Sequence, residues 1–320
     1  WSEYLNKLLE VFGTQIPFEL CHAPSEGGWL NLPALLVIVA LSLLLIKGTQ
    51  ESATFNAIIV VVKVAIVLVF IAVGWQFINP ANHTPYLIPA NQPDVLCLQE
   101  IKAGTTPLDV SGFEALGYHA YLHPAQKPGY SGVATFSKQK PVAIVHGCGT
   151  EIYDTEGRVL RLDFPEYSVL NVYMPSGTSG AERQAFKVEW LHFFRRYVRE
   201  LQAAGTPPLI IGGDFNCCQR EIDLHNPKAN QQSPGFTPEE RQWFQDFLAD
   251  GYADSFRHHH GDAPGHYSWW TYRAGARARN VGWRLDHLLV DEVLQPRIQE
   301  AHLLRDIVHS DHCPAQLVLT

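Results

Sequence analysis

Charge is sparse in the first 89 residues of this 320-residue chain and dense in the remainder. The first part holds three basic side chains (Lys7, Lys47 and Lys63) and five acidic ones (Glu3, Glu10, Glu19, Glu26 and Glu51), out of 24 and 32 in all. A segment with so few polar positions to turn towards water has two outlets: it lies in a bilayer, or it is a helical hairpin buried in a soluble protein. Within it, LPALLVIVALSLLLI (32–46) carries no charge, and AIIVVVKVAIVLVFIAVGW (57–75) carries only Lys63. With their flanks, both runs approach the ~20 residues of a membrane-spanning helix. KGTQESATFN joins them as a polar turn, and Trp29 and Trp75 fall where interfacial aromatic residues belong. The expectation is a two-span transmembrane helical fragment over residues 1–89, with a membrane as partner through residues 30–77.

With 46% hydrophobic and 11% aromatic residues, wholesale disorder is excluded. A net charge of −8 excludes coating of nucleic acid by a general basic field, so any phosphate-binding surface is local. The six cysteines form no CxxC pair, and the vicinal Cys217 and Cys218 are poorly placed for a mutual disulfide. They read as reduced thiols in a cytoplasmic setting. The start at Trp1, without a basic stretch and cleavage site, reads as a fragment.

After Pro89 the texture changes to short strand-like runs: VLCLQE (95–100), GVATFSK (132–138), RVLRLDF (158–164), YSVLNVYMP (167–175), PLIIGGDFN (208–216), RLDHLLV (284–290) and CPAQLVL (313–319). Helices are expected over Ala181–Ala204 and Thr237–Leu248, the second with Thr237 as N-cap, Pro238 at N1 and Glu240 at N3. This mixture predicts an α/β sandwich of sheets flanked by helices. Polar residues gather at the strand ends: Glu100, Asn171 and Tyr173, Asp214 and Asn216, Asp286, and the pair Asp311-His312. A single strand-end acid is usually a turn or cap residue, but five such places mixing carboxylate, amide and imidazole point to a site. Oxygen ligands with a histidine and no cysteine cluster suit Mg²⁺ or Mn²⁺ and phosphate-ester hydrolysis better than zinc chemistry.

PDVLCLQEIKA, GYSGVATFSK, NVYMPSG, GGDFN, GFTPEERQWF, YSWWTYR, NVGWRLDHLLV and SDHCP, in this order across residues 90–320, resemble the exonuclease III and apurinic/apyrimidinic (AP) endonuclease branch of the endonuclease/exonuclease/phosphatase superfamily. GGDFN, the aspartate of RLDHLL and SDH are shared across that superfamily, whereas NVGWRLD, SWWTYR and GFTPEER are narrower and point to DNA repair. The resemblance implies a four-layer α/β sandwich and a Mg²⁺-dependent nuclease, cytoplasmic and monomeric. Its partner would be double-stranded DNA, cut 5′ to abasic sites and from 3′ ends. Residue by residue, it implies Glu100 and Asp311 as metal ligands. Tyr173, Asp214, Asn216, Asp286 and His312 are implied as catalytic, with Asp214 orienting or deprotonating water and His312 on the scissile phosphate, held by Asp286. Asn171 is implied as lining the phosphate pocket with Tyr173, and Asn226 as touching phosphates with Lys228 and Asn230. Trp269, Trp283 and Leu285 take the positions of a pocket for a deoxyribose without its base.

Beside that pocket, Arg273, Arg277, Arg279 and Arg284 make a local phosphate-contacting stretch in an acidic chain. Tyr130 and Lys102 are weaker candidates for backbone contacts, and the run His258–His260 reads as a surface loop.

Residues 1–89 carry a second resemblance, to amino-acid permeases of the amino acid–polyamine–organocation family, through WSEYLNKLL, APSEGGWLNLPALLV, KGTQESATFNAIIVVVKVAIVLVFI and NPANHTPYLIP. Such transporters bind substrate at interrupted helices, and no glycine-interrupted span is found here. The strand and helix with which the nuclease family opens, a strand that contributes to its metal site, find no counterpart before PDVLCLQE. A sandwich lacking its first strand and helix, with a gap in one sheet, is therefore expected, and the chain reads as a junction of two incomplete pieces. The competing readings are a non-functional chimera, a membrane transporter fragment, and a superfamily phosphatase acting on lipids or inositol phosphates.

Overall fold

A computed structural model of the chain describes residues 2, 5, 6, 9, 13–24, 27–47, 49–74, 92–106 and 108–320. The chain forms two compact units, Trp1–Thr84 and Pro85–Thr320.

The first unit contains a short helix α1 (Phe18–Cys21), then α2 (Leu32–Lys47) and α3 (Thr49–Gly74), which coincide with the two apolar runs. Runs of Leu, Ile, Val and Ala explain the helices, with Pro33 confined to the first turn of α2 and Gly74 at the end of α3. The expectation that they span a bilayer finds no support: among the described residues, no helix is long and apolar enough to cross a membrane. Helix α2 has 16 residues and rises about 24 Å, short of the ~30 Å hydrocarbon core. Helix α3 begins with the polar stretch Thr49–Asn56 and carries Lys63 within its apolar part. Trp75 lies outside the described residues.

The second unit is built on a six-stranded sheet of order β4-β5-β6-β7-β9-β8. Its strands are β4 (Ala143–His146), β5 (Val159–Asp163), β6 (Ser168–Tyr173), β7 (Leu209–Asp214), β8 (Tyr252–Asp254) and β9 (Asp286–Asp291). The pairs are antiparallel except β6 with β7, whose crossover is the long helix α6 (Ala181–Ala203); the short α4 (Ser111–Glu114) and α5 (Glu151–Asp154) come earlier in the chain. Helix α7 (Pro238–Ala249) starts with the expected capping box, Thr237 Oγ1 accepting from the Glu240 amide at 3.3 Å. Helices α6 and α7 cover one face of the sheet, where Trp190, Phe194, Phe244 and Phe247 bury against Leu170, Val172, Ile211 and Leu289. Each such side chain contributes about 1.5–3 kcal/mol by leaving water.

The opposite face packs against a second layer, with Leu162, Phe164 and Val169 meeting Val95, Cys97 and Tyr121. That layer is divided. One part is a three-stranded sheet of order β1-β3-β2, made of β1 (Val95–Gln99), β2 (His119–His123) and β3 (Val133–Ser137), capped outside by Phe113 of α4 stacked on Phe136. The other part is the pair β10 (Ile298–Leu303) and β11 (Ala315–Leu319). Strand β1 lies across β6 and β7 and β11 lies across β9, and no strand among the described residues joins them. The large sheet, covered by helices on one face and by the divided sheet on the other, makes a mixed α/β sandwich. Strands β2, β4, β8 and β10 were not expected from the sequence, and the histidine run forms the end of helix α8 (Ser255–His260) rather than a loop. All six cysteines are free.

Candidate active site

Strand pairing alone gathers the central side chains. Tyr173 pairs with Asp214 across the parallel β6/β7 ladder, and Asp214 pairs with Asp286 across the antiparallel β7/β9 ladder. Three strand ends therefore present a phenol and two carboxylates at one level. The glycine before Asp214 is required by space: Gly213 has φ +147°, and a Cβ there would lie 1.9 Å from the Val172 carbonyl oxygen. The GGD sequence is what lets β7 lie so tightly against β6.

His312, just before β11, completes the centre. Its Nδ1 lies 2.8 Å from Asp286 Oδ2, and because a carboxylate only accepts, Nδ1 carries the proton and Nε2 is left for a substrate. Donor atoms of Asp214, Asp286 and His312 lie within 4.8 Å of one another, the one such trio among the described residues. Burial works against charge on the His312 imidazole, but Asp286, by charge and by hydrogen bond, with Asp214 and Asp311 behind it, outweighs burial and raises the group to about 10. Asp214 is pushed up to about 7, chiefly by burial and further by Asp286, against the lowering pull of His312, the Asn216 amide and Lys187. A charged imidazole beside a carboxyl that ionises near neutrality is an acid and a base held in one place.

Asn216 holds Asp214 in turn. Its backbone N–H donates to Asp214 Oδ1 at 2.8 Å, and its Nδ2 donates to Asp214 Oδ2 and to the Met174 carbonyl, each at 3.0 Å. Asn216 has φ +49°, a left-handed conformation that asparagine tolerates better than most residues. Beneath the turn, the buried Lys187 Nζ donates to the Asn216 carbonyl at 2.8 Å and pairs with Glu240 at 2.6 Å. Glu240 also accepts from the amides of Gly235 and Thr237 at 2.8 and 2.9 Å. Burial opposes its ionisation, yet Lys187 and these donors hold its carboxyl below the usual range. This support was not found from the sequence, because a lysine on one helix and a glutamate on another give no local pattern.

Glu100 follows β1 with φ +56°, and its carboxylate pairs with Lys102 at 3.0 Å while 47% exposed. It also hydrogen-bonds Tyr173, whose phenol is raised well above its ordinary value by burial and then by the charges of Asp214 and Glu100, so it stays a donor. Arg158, also unforeseen, lies over the Tyr173 ring at 4.7 Å and donates to the Tyr173 carbonyl at 2.8 Å. Arg183 donates to the same Glu156 that holds Arg158, and to the Tyr130 hydroxyl at 3.1 Å, so Tyr130 belongs to this brace. Glu100, Asp214 and Asp286 offer oxygen donors that suit a hard divalent cation. The Asp311 carboxylate is engaged elsewhere, accepting from Trp269 Nε1 at 3.0 Å and Ser310 Oγ at 3.2 Å.

Trp269, Trp283 and Leu285 do come together, packed with Leu224, Phe236 and Cys218. Bridges join Trp269 to Trp283 and Trp269 to His312, so this apolar wall adjoins His312. Asn226, in the left-handed conformation, and Lys228 are exposed on the neighbouring loop, while the Asn230 side chain bonds back to the Asn226 carbonyl at 3.0 Å.

Three expectations are corrected. Asn171 does not line a phosphate pocket: it is fully buried and links the two sheet layers, accepting from Gln99 at 2.7 Å and donating to Leu98, Ala134 and Thr135. Arg284 is fully buried, bonded to Asp223 and Asp254 at 2.8 Å. Arg277 spends its guanidinium on the carbonyls of Ser310, Arg305 and Ile307 at 2.6–2.9 Å. Arg273 and Arg279 remain exposed.

The model of the Endonuclease/Exonuclease/phosphatase family matches residues 79–312. The exodeoxyribonuclease of Bacillus subtilis is 44% identical over 226 residues, 71% of this chain and 88% of its own. The DNA repair nuclease APEX1 of Danio rerio is 39% identical over 229 residues, 71% of this chain and 73% of its own. Among solved structures, an AP endonuclease from Archaeoglobus fulgidus superimposes with a TM-score of 0.68 at 27% identity, covering 74% of this chain and 93% of that one. With the dyad, the paired carboxylates and the buried GGDFN turn already in place, these likenesses show that the chain belongs to the endonuclease/exonuclease/phosphatase family, in its exonuclease III and AP endonuclease branch, and is a phosphodiester hydrolase.

Proposed function

We propose that this chain is a Mg²⁺- or Mn²⁺-dependent DNA-repair nuclease that hydrolyses duplex DNA 5′ to abasic sites and removes nucleotides from 3′ ends, acting as a cytoplasmic monomer. The observation that carries the reading is the Asp286–His312 dyad at 2.8 Å with Asp214 beside it. The residues fit the cation: Glu100, half exposed, and Asp286 supply hard oxygen donors, and no cysteine enters the site. Bound there, the ion would neutralise charge on the phosphate.

The protein's own groups do the rest. Asp214, fixed by Asn216, orients the attacking water and takes its proton. His312, charged and held by Asp286, presents Nε2–H to the phosphate. Tyr173 stays protonated and donates to a non-bridging oxygen. The wall of Trp269, Trp283 and Leu285 suits a flipped sugar that has no base edge to satisfy, and extrusion is least costly where a base is already missing. Arg273, Arg279, Lys228 and Asn226 are exposed and available for backbone phosphates.

The test is incision of a duplex carrying one abasic site by the full chain, with Mg²⁺ and with a chelator. Chelator-sensitive cutting at that site, lost in His312→Ala, is the expected result. Hydrolysis of phosphomonoesters or lipid phosphodiesters with none of abasic DNA would replace the reading with a phosphatase-type one.

A further inference from the structure

The histidine run at the end of α8 has no part in the site above, and the fold brings it against β10. His259, His260 and His302 form a triangle of rings, with centroids 4.8 Å apart for His259 and His260 and 5.9 Å apart for each of those with His302. His266, on the loop that follows, stacks on His260 at 5.7 Å. Residues from one helix, one strand and one loop therefore place four imidazoles together.

Hydrogen bonding fixes which nitrogens are free. His260 Nε2 lies 2.6 Å from the Ala301 carbonyl, which can only accept, so Nε2 carries the proton and Nδ1 keeps its lone pair. His302 Nε2 lies 3.3 Å from the Glu300 carboxylate, which assigns its proton in the same way and leaves Nδ1 as the donor nitrogen. A carboxylate or carbonyl behind an imidazole is the arrangement that orients metal-binding histidines and raises their basicity.

We propose that His259, His260 and His302, with Glu300 behind His302 and His266 as a further ring, form a surface site for a borderline transition-metal ion of the Zn²⁺ or Ni²⁺ class. Nitrogen donors select such ions over Mg²⁺, which prefers the oxygen donors of the hydrolytic centre. As the rings stand, one nitrogen from each does not fall within 4.8 Å of the others, so an ion would be closed in by side-chain rotation of His259, which is exposed, and of His302, which is 39% exposed. The site is independent of the hydrolytic assignment, because none of its residues belongs to that machinery.

The experiment is calorimetric titration of the full chain with Zn²⁺ in excess Mg²⁺, with Co²⁺ absorption as a readout of nitrogen ligation. One Zn²⁺ equivalent is expected that His259→Ala and His302→Ala each weaken tenfold or more, and that Glu300→Gln weakens about tenfold. In the unaltered chain, Zn²⁺ should protect His259, His260 and His302 from carbethoxylation, read by mass spectrometry, which needs no variant to fold. Undiminished affinity in His302→Ala would mean that the three consecutive histidines bind as a linear tract and would overturn the assembled site. Absence of protection at His302 in the unaltered chain would overturn it equally.

Discussion

The two sheet layers contribute unequally to the hydrolytic centre. The six-stranded sheet is continuous, its central strands are buried by two helices, and its ladders set Tyr173, Asp214 and Asp286 beside one another. The second layer is divided into three strands and two, with β1 and β11 only half buried, yet it delivers Glu100 from one part and His312 from the other. A side chain fixed by an unbroken ladder needs no further anchor, whereas one at the edge of a divided layer is placed by its own bonds. His312 is tied to Asp286, its peptide amide to Ser310, and Asn171 links the layers from below.

The largest effect expected tests whether the divided layer is integral to chemistry. His312→Ala or Asp286→Asn should lower incision of abasic duplex by about 10²–10⁴-fold with an unchanged circular dichroism spectrum; a loss below tenfold would make the continuous sheet sufficient alone. Arg284→Met should cost about 3–5 kcal/mol, read as a lowered Tm, because it leaves Asp223 and Asp254 buried without their cation. Hydrogen exchange should then rank the layers, with amides of β1 and β11 exchanging well before those of β6 and β7; equal protection would show that the gap carries no cost. Incision should rise as pH passes through about 7, where Asp214 ionises, and fall towards about 10, where His312 loses its proton. A profile flat from pH 6 to 8 would remove Asp214 as the base. Smallest, Arg273→Ala and Arg279→Ala should each leave Tm unchanged and lower the salt dependence of DNA binding by about one unit of slope.

What the sequence made legible follows from how locally each feature is written. The seven strand-like runs, the capped helix at Thr237 and the strand-end acids depend on near neighbours, and all reappear in the structure. Strands β2 (HAYLH) and β10 (IQEAHL) are short mixtures of histidine, polar and apolar residues with no strong strand pattern of their own, and they become strands only through their partners. The arginines show the limit most clearly. Arg273, Arg277, Arg279 and Arg284 look alike in one short stretch, and only distant carboxylates and carbonyls separate the buried Arg284 and occupied Arg277 from the exposed pair. Asn171 was misread because a strand-end amide gives no sign of which sheet it faces. The apolar helices were read correctly as helices, and length decided against α2 as a span.

The burial of Asp214, opposite Asp286 across β7 and β9, sets the fold against its own purpose. Asp214 ionises near 7 in the folded chain instead of 3.8, so the stability it adds is complete in acid and drains away as pH rises through neutrality. At the pH where hydrolysis would proceed, two like charges sit opposite each other on adjoining strands, a placement that sheets ordinarily disfavour. Ranking variants by heat resistance alone would therefore favour those with an uncharged side chain at Asp214 and discard the functional ancestor. In such a lineage, gains in robustness and loss of turnover would arrive together, and selection for catalysis is what keeps the weaker fold.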